Sequence, residues 1–439
     1  MKSRVLSVCL LLTLLLPVLA GCGVPRATDK LILYSPDNGY SSLLNPALEI
    51  FKELYPEVEV SYQIIDEDEY RTKIREEIPA GEGPDLVLFR SNTFWDIYKT
   101  ASSKVFVDLD KYFKKDEEID LADFVGPVMD GGVVNGKRVF APLNYEMPLI
   151  LTTQSILDEI GMTVDALENC DGFCDGAIRF HEKYPDATLF FDTCGGYNPC
   201  VADIRTLYKN FGFDFIGYPG GQIQIDEARL RQCMDLVKLY YDPDYDVMDM
   251  SLMDEVDDYD FGCGLSRKLL LYDDFCAANY VRYSRGSQLL RDQGEEPLMF
   301  VQKNQRGGIT AELDYCAAIP KSSENKANAW RLLKILLSDE IQGGHDKEVY
   351  NNSYFYSGFP ARLSATKAAI DKGFTMSPKG AVFDEYIAIV QSPTEAILVP
   401  QAYRQIMDEE IMPYIRGEKT WDECYMNLVE SLEVYRKSK

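Results

Sequence analysis

The side chains able to do chemistry in this 439-residue chain point away from catalysis. Only two histidines occur, His181 and His345, far apart in sequence, so imidazole proton transfer has little to work with. There is no G-x-x-x-x-G-K-S/T phosphate loop, no G-x-S-x-G elbow and no H-E-x-x-H pair. Asp242, Asp244 and Asp246 open like a calcium loop, but the sixth position, which must be glycine, is Val247. That segment and the run Asp254 to Asp260 read as solvated acidic turns. The 71 carboxylates leave a pair for glycoside hydrolysis open as an alternative. Eleven cysteines are the other reactive groups. Setting aside Cys9 and Cys22 in the N-terminal segment leaves Cys170, Cys174, Cys194, Cys200, Cys233, Cys263, Cys276, Cys316 and Cys424, an odd set that cannot all pair. Cys194 and Cys200 enclose GGYNP, and Cys170 and Cys174 bracket DGF. Thiolates suit zinc, yet neither spacing is the tight C-x-x-C knuckle. Free thiols, or one or two local disulfides, are therefore expected, with no metal and no cofactor.

Cys22 is chemically marked by its setting. Lys2 and Arg4 precede an apolar run from Val5 to Ala20, broken by Ser7, Thr13 and Pro17. The run is shorter than the roughly 20 residues of a spanning helix and fits a signal-peptide core. It ends in Leu19-Ala20-Gly21-Cys22, which resembles the lipobox of bacterial lipoproteins; the alternative is an ordinary secretory signal with a cysteine at its cleavage site. Residues 1–21 are expected to leave as a lipoprotein signal peptide and 22–30 to form a lipidated tether. At about 0.8 kcal/mol per buried CH₂, two or more acyl chains such as palmitate hold firmly. No later segment is apolar enough to span a membrane. The expected location is the outer face of the cell membrane, in a Gram-positive host.

The formal charge is −26, and becomes −28 when Lys2 and Arg4 leave. Such a surface repels nucleic acid and anionic headgroups and permits neutral or cationic ligands. The elements that follow the tether alternate: the strand-like Leu31–Tyr34, a helix over 45–55 stopped by Pro56, an alternating strand from Val58 to Ile64, a charged helix from Asp68 to Ile78, and the buried-type strand Asp85–Phe89. This order predicts a parallel sheet with crossover helices. Further on, an extended stretch runs from Val139 to Leu151, strands are expected at 186–192, 269–272 and 314–319, and helices at 204–211, 226–241, 325–338, 401–414 and 420–435.

In order, KLILYSPDNGY, ALEIFKELYPEVEV, GPDLVLF, GKRVFAPLNYEMPLILTTQSILDEIGM, NKANAWRLLKILLSDEIQ, SGFPAR and RGEKTWDECYMNLVESL resemble the family 1 extracellular solute-binding proteins, the substrate receptors of ABC importers. The resemblance implies an α/β, two-lobed, type II periplasmic-binding-protein-like fold with hinge-linked lobes and a ligand cleft between them. Lobe 1 is expected over 31–142 plus 318–358 and lobe 2 over 143–317 plus 359–439. Val139–Pro148 and Asp314–Pro320 are the expected hinge strands. A sugar has apolar faces and a rim of hydroxyls, so its site needs aromatic platforms and planar polar groups. By the family pattern the first lobe would offer Asp37 and Asn38, which also suit a plain turn, and Arg90, Ser91 and Asn92. The crossing strand would offer Tyr145 and Glu146. The second lobe would offer Tyr197, then Asp273, Asp274 and Phe275 where the family commonly presents a tryptophan, with Tyr356 and Tyr403 as further platforms.

The implied protein is a non-enzymatic monomer that captures a carbohydrate, an oligosaccharide, and hands it to a permease. It touches the membrane through its lipid alone and takes no nucleic acid. A glycoside-active exported enzyme, or the same fold holding a cationic or peptide solute, are the alternatives. If Tyr197 and Phe275 stack on sugar, each alanine substitution weakens binding by about 0.5–1.5 kcal/mol. Unchanged calorimetric affinity in both variants removes them from the site.

Overall fold

The computed structural model describes residues 29–36, 40–185, 188–192, 225–241, 269–273, 291, 294–343, 358–373 and 381–438. Its strands are β1 (Lys30–Pro36), β2 (Glu59–Ile65), β3 (Val87–Phe89), β4 (Val133–Val134), β5 (Lys137–Arg138), β6 (Ala141–Pro142), β7 (Asn144–Glu146) and β8 (Leu149–Thr153), followed by β9 (Thr188–Asp192), β10 (Leu269–Asp273), β11 (Pro297–Val301), β12 (Thr310–Leu313), β13 (Cys316–Ala318), β14 (Phe359–Pro360) and β15 (Glu395–Ile397). β1 and β2 pair in parallel over their full length. A parallel bridge from Leu33 to Leu86 carries β1 onto the β3 edge, and β13 runs antiparallel between β3 and β6. A second sheet has the order β11-β8-β10-β9, and a third β14-β7-β12-β15. β4 and β5 form a hairpin turned by Asn135 and Gly136, both at positive φ, as a two-residue Asn-Gly loop demands.

Local chemistry sets the elements that frame the strand ends. The helix Glu67–Ala80 starts where Asp66 Oδ1 accepts the Asp68 and Glu69 amides at 2.9 and 3.2 Å, and it stops at Gly81 with φ 81°. The helix Tyr40–Leu54 buries Leu44, Ala47, Leu48 and Phe51, one 3.6-period stripe, and packs against the helix Lys326–Leu336.

Two apolar clusters result. The first gathers β1, β3, β6, β7, β13 and their helices; the second gathers Ile150 to Phe180, Leu230 to Val237, Phe300 and Tyr403 to Leu432. The chain passes between them at Leu149/Ile150, at Phe300/Val301 and between Leu398 and Tyr403. Leu143, Tyr145, Met147, Ala311, Leu313, Phe359, Tyr386 and Val390, in segments expected within the second lobe, pack in the first cluster because the third sheet lies on it. The expected extended run 139–151 is three strands, and the expected strand 314–319 begins only at Cys316. The expected helix 204–211 lies outside the described residues.

Tyr145 is fully buried and its hydroxyl donates to the Val390 carbonyl at 2.7 Å, an acceptor left over at the end of the helix Ala381–Val390. Tyr145→Phe should leave that carbonyl unpaired and cost about 1 kcal/mol, read as a lower urea midpoint at unchanged m-value.

Candidate ligand-binding cleft

The carboxyl ends of β1, β2 and β3 share one edge of the first sheet, where open α/β sheets bind their ligands. Three segments supply the described side chains there: the first turns of the helix Glu67–Ala80, the loop 90–96 after β3, and residues 314–315 between β12 and β13. Within the loop, the Arg90 amide donates to Thr93 Oγ1 at 3.1 Å and the Thr93 amide to the Arg90 carbonyl at 3.1 Å. Arg75 reaches from the helix to fix the same loop, donating to the Thr93 and Asn92 carbonyls at 2.8 and 2.7 Å. Asn92 Nδ2 donates to Glu67 Oε1 at 3.1 Å, and Arg71 pairs with that carboxylate at 2.8 Å.

Arg90 ties the loop to the crossing segment. Its Nε lies 2.6 Å from Asp314 Oδ1, and its guanidinium stands over the Tyr315 ring at 4.8 Å. Burial raises the Tyr315 pKa, with the Arg90 charge opposing. Fully buried Asn144 accepts the Tyr315 amide at 2.6 Å, with its own Nδ2 3.5 Å from Asp314 Oδ2. A second polar group lies on the third sheet: Glu146 and Glu312 are register partners across β7 and β12, and Arg404, from the helix Gln401–Ile415, pairs with Glu312.

The structure thus brings Arg90, Ser91 and Asn92 together at the strand-end edge, with half-buried Glu146 on the adjoining sheet. It does not bring Tyr145 and Tyr403 there. Both are core residues, Tyr145 of the first cluster and Tyr403 of the second, because their rings fill the packing under β7 and under the helix Gln401–Ile415. Asp273 ends β10, its backbone paired in register with Ile150 and Asp192. Asp37, Asn38, Tyr197, Asp274, Phe275, Tyr356 and the lipidation residue Cys22 lie outside the described residues.

Sequence reasoning missed Trp95. It is 53% exposed, its ring lies 4.5 Å under the Arg75 guanidinium, and its carbonyl accepts the Ala402 amide at 3.0 Å. An aromatic ring thereby stands at the strand-end edge beside a helix of the second cluster. A signal was present: Trp95 immediately precedes Asp96, the cap of the helix Ile97–Ser102, a position whose apolar residue usually packs on the fourth helical residue. That residue is the polar Thr100.

Removing Arg90 strands a buried carboxylate, whereas removing the Asp314 charge leaves a guanidinium that water reaches. Arg90→Ala should therefore destabilise more, by about 2 kcal/mol against about 1 for Asp314→Asn in urea unfolding. The reverse order would show that the pair does not hold the loop.

Residues 35–163 match the family model described as bacterial extracellular solute-binding protein. No curated protein matches the chain by sequence. Among solved structures, the sugar-binding protein MalE of Xanthomonas citri shares 13% identity at TM-score 0.60, covering 93% of this chain and 100% of that one. The GacH receptor of Streptomyces glaucescens, solved unliganded and with acarbose, shares 15% at 0.56, covering 93% and 97%. An ABC transporter solute-binding protein of Thermotoga lettingae, bound with α-D-tagatose, shares 17% at 0.54, covering 93% and 100%. At these identities the likeness is one of fold. The chain thus carries one segment similar to the bacterial extracellular solute-binding proteins, and it shares the two-lobed α/β fold of these structures over nearly its whole length.

Proposed function

We propose that the protein is the carbohydrate receptor of an ABC importer, held at the outer face of the membrane by lipid on Cys22 and delivering an oligosaccharide to the permease. The observation that carries this reading is the exposed Trp95 ring under Arg75, the residue that also fixes the loop carrying Arg90 and Asn92. Such a ring offers a platform for the apolar face of a sugar, and amide, carboxylate and guanidinium groups offer the planar, two-pronged partners that vicinal hydroxyls take. The similar structures that name sugars or sugar-like ligands support the reading.

Binding acts through closure. The lobes hinge where the described chain passes between the apolar clusters, and a ligand that touches both sides favours the closed state by its differential affinity for it. We assign the protein no turnover. Of the two carboxylates facing each other across β7 and β12, Glu312 is neutralised by Arg404, which does not suit a free acid and base pair.

Calorimetry against mono- and oligosaccharides, polyamines and peptides tests the reading. A sugar should bind without product forming, and Trp95→Ala should weaken it about two- to tenfold, the cost of one lost stacking contact. Binding of polyamines or peptides alone, or hydrolysis of a glycan, would overturn the assignment.

A further inference from the structure

The helix Cys170–Lys183 opens with Asn169 as its cap, Asn169 Oδ1 accepting the Gly172 amide at 3.0 Å. Cys170 is its first residue and Cys174 follows four residues on, so both thiols share one face. The facing helix Glu227–Leu239 presents Cys233 to the same point. Cys170 Sγ and Cys233 Sγ are 3.3 Å apart, and the three sulfurs all lie within 4.8 Å of one another. All three residues are buried, in one apolar cluster with Leu167, Phe173, Leu230 and Val237. Cys424 and Cys316 are also buried but stand outside the cluster.

We infer that Cys170, Cys174 and Cys233 form a structural site for one soft, thiophilic closed-shell cation such as Zn²⁺ or Cu⁺, tying the helix Cys170–Lys183 to the helix Glu227–Leu239. Three observations converge. Sulfurs about 2.3 Å from one cation lie about 3.8 Å from each other, inside the span measured here. The donor set is sulfur alone, the chemistry that selects zinc or monovalent copper over calcium or magnesium. The negative charge of bound thiolates falls at the first turn of a 14-residue helix, whose N-terminal dipole favours it. The same two helices are joined at their surface by Arg229 and Asp171, 3.4 Å apart, which sets their approach. A disulfide would use two of the thiols and leave the third buried and idle; a cation uses all three. Each thiol that binds releases its proton to solvent, so affinity falls as pH falls. The sequence spacing hid the site because its third ligand comes from about 60 residues further on.

The test is titration of the full chain, reduced and freed of metal, with Co²⁺. Saturation at one equivalent with sulfur-to-cobalt charge-transfer absorption, bleached by Zn²⁺, is expected. Zn²⁺ should also raise the melting temperature by several degrees. Cys170→Ser and Cys233→Ala should each lose the absorption and the thermal shift, while Cys424→Ser keeps both. Should a cluster variant fail to fold, X-ray absorption of the zinc-loaded native chain decides, with a shell of three sulfurs expected. Absence of the charge-transfer band, its survival in both cluster variants, a shell without sulfur, or a Cys170–Cys233 disulfide in the exported protein would overturn the inference.

Discussion

Asn144 is the residue on which the arrangement of the first lobe's cleft depends. Strands β7 and β12 are short and lie inside the first apolar core, where the backbone between strands is buried without a continuous ladder to satisfy it. Asn144 meets that need with its side chain, taking the Tyr315 amide and lying against Asp314. Asp314 in turn holds Arg90, so the cation at the β3 end is aimed by the crossing segment rather than by its own loop. Gly358 shows how tight this place is: a Cβ there would stand 2.7 Å from the Tyr145 carbonyl and 3.0 Å from Asn144 Nδ2. Such a buried polar network is stable only when every member is paired.

The elements with a clear period were legible in the sequence. The helices expected at 325–338 and 401–414 occur as Lys326–Leu336 and Gln401–Ile415, and the first strands and helices alternate as expected, because their apolar stripes face a core from which no alternative period would bury them. The crossing region was less legible. Short strands that switch sheets, such as β6, β7 and β8, look like one extended run, since β-pattern residues do not say which sheet they will join. The candidate site divided along similar lines. Arg90 and Asn92 stand at the β3 end because their place after a strand fixes their position. Tyr145 and Tyr403 are buried core rings, and composition cannot tell a platform from a core ring; only the packing around each does. Asp314 meets Arg90 from 224 residues away and Glu67 meets Asn92 from 25, contacts that no local pattern reveals.

The chemistry of this edge contrasts with the acidity of the whole. In a chain of net charge −26, Arg71, Arg75 and Arg90 gather at one sheet edge, each held by a carboxylate or backbone carbonyls. Fixed donors of this kind lose little freedom when a hydroxyl arrives, so their hydrogen bonds favour binding more than mobile surface arginines would. Their partners hold the charges in a mixed array of opposite signs.

Three tryptophans occur in the chain, and two of them, Trp330 and Trp421, are buried at 7% and 3% exposure. Trp95 alone faces solvent, with Arg75 on its ring and a second-cluster helix against its carbonyl. The intrinsic emission of the protein therefore divides into two shielded components and one red-shifted component that iodide can quench. Occupation of the cleft, or movement of one lobe over the other, would be written in the colour and quenching of that single indole, an optical gauge the chain carries without any added label.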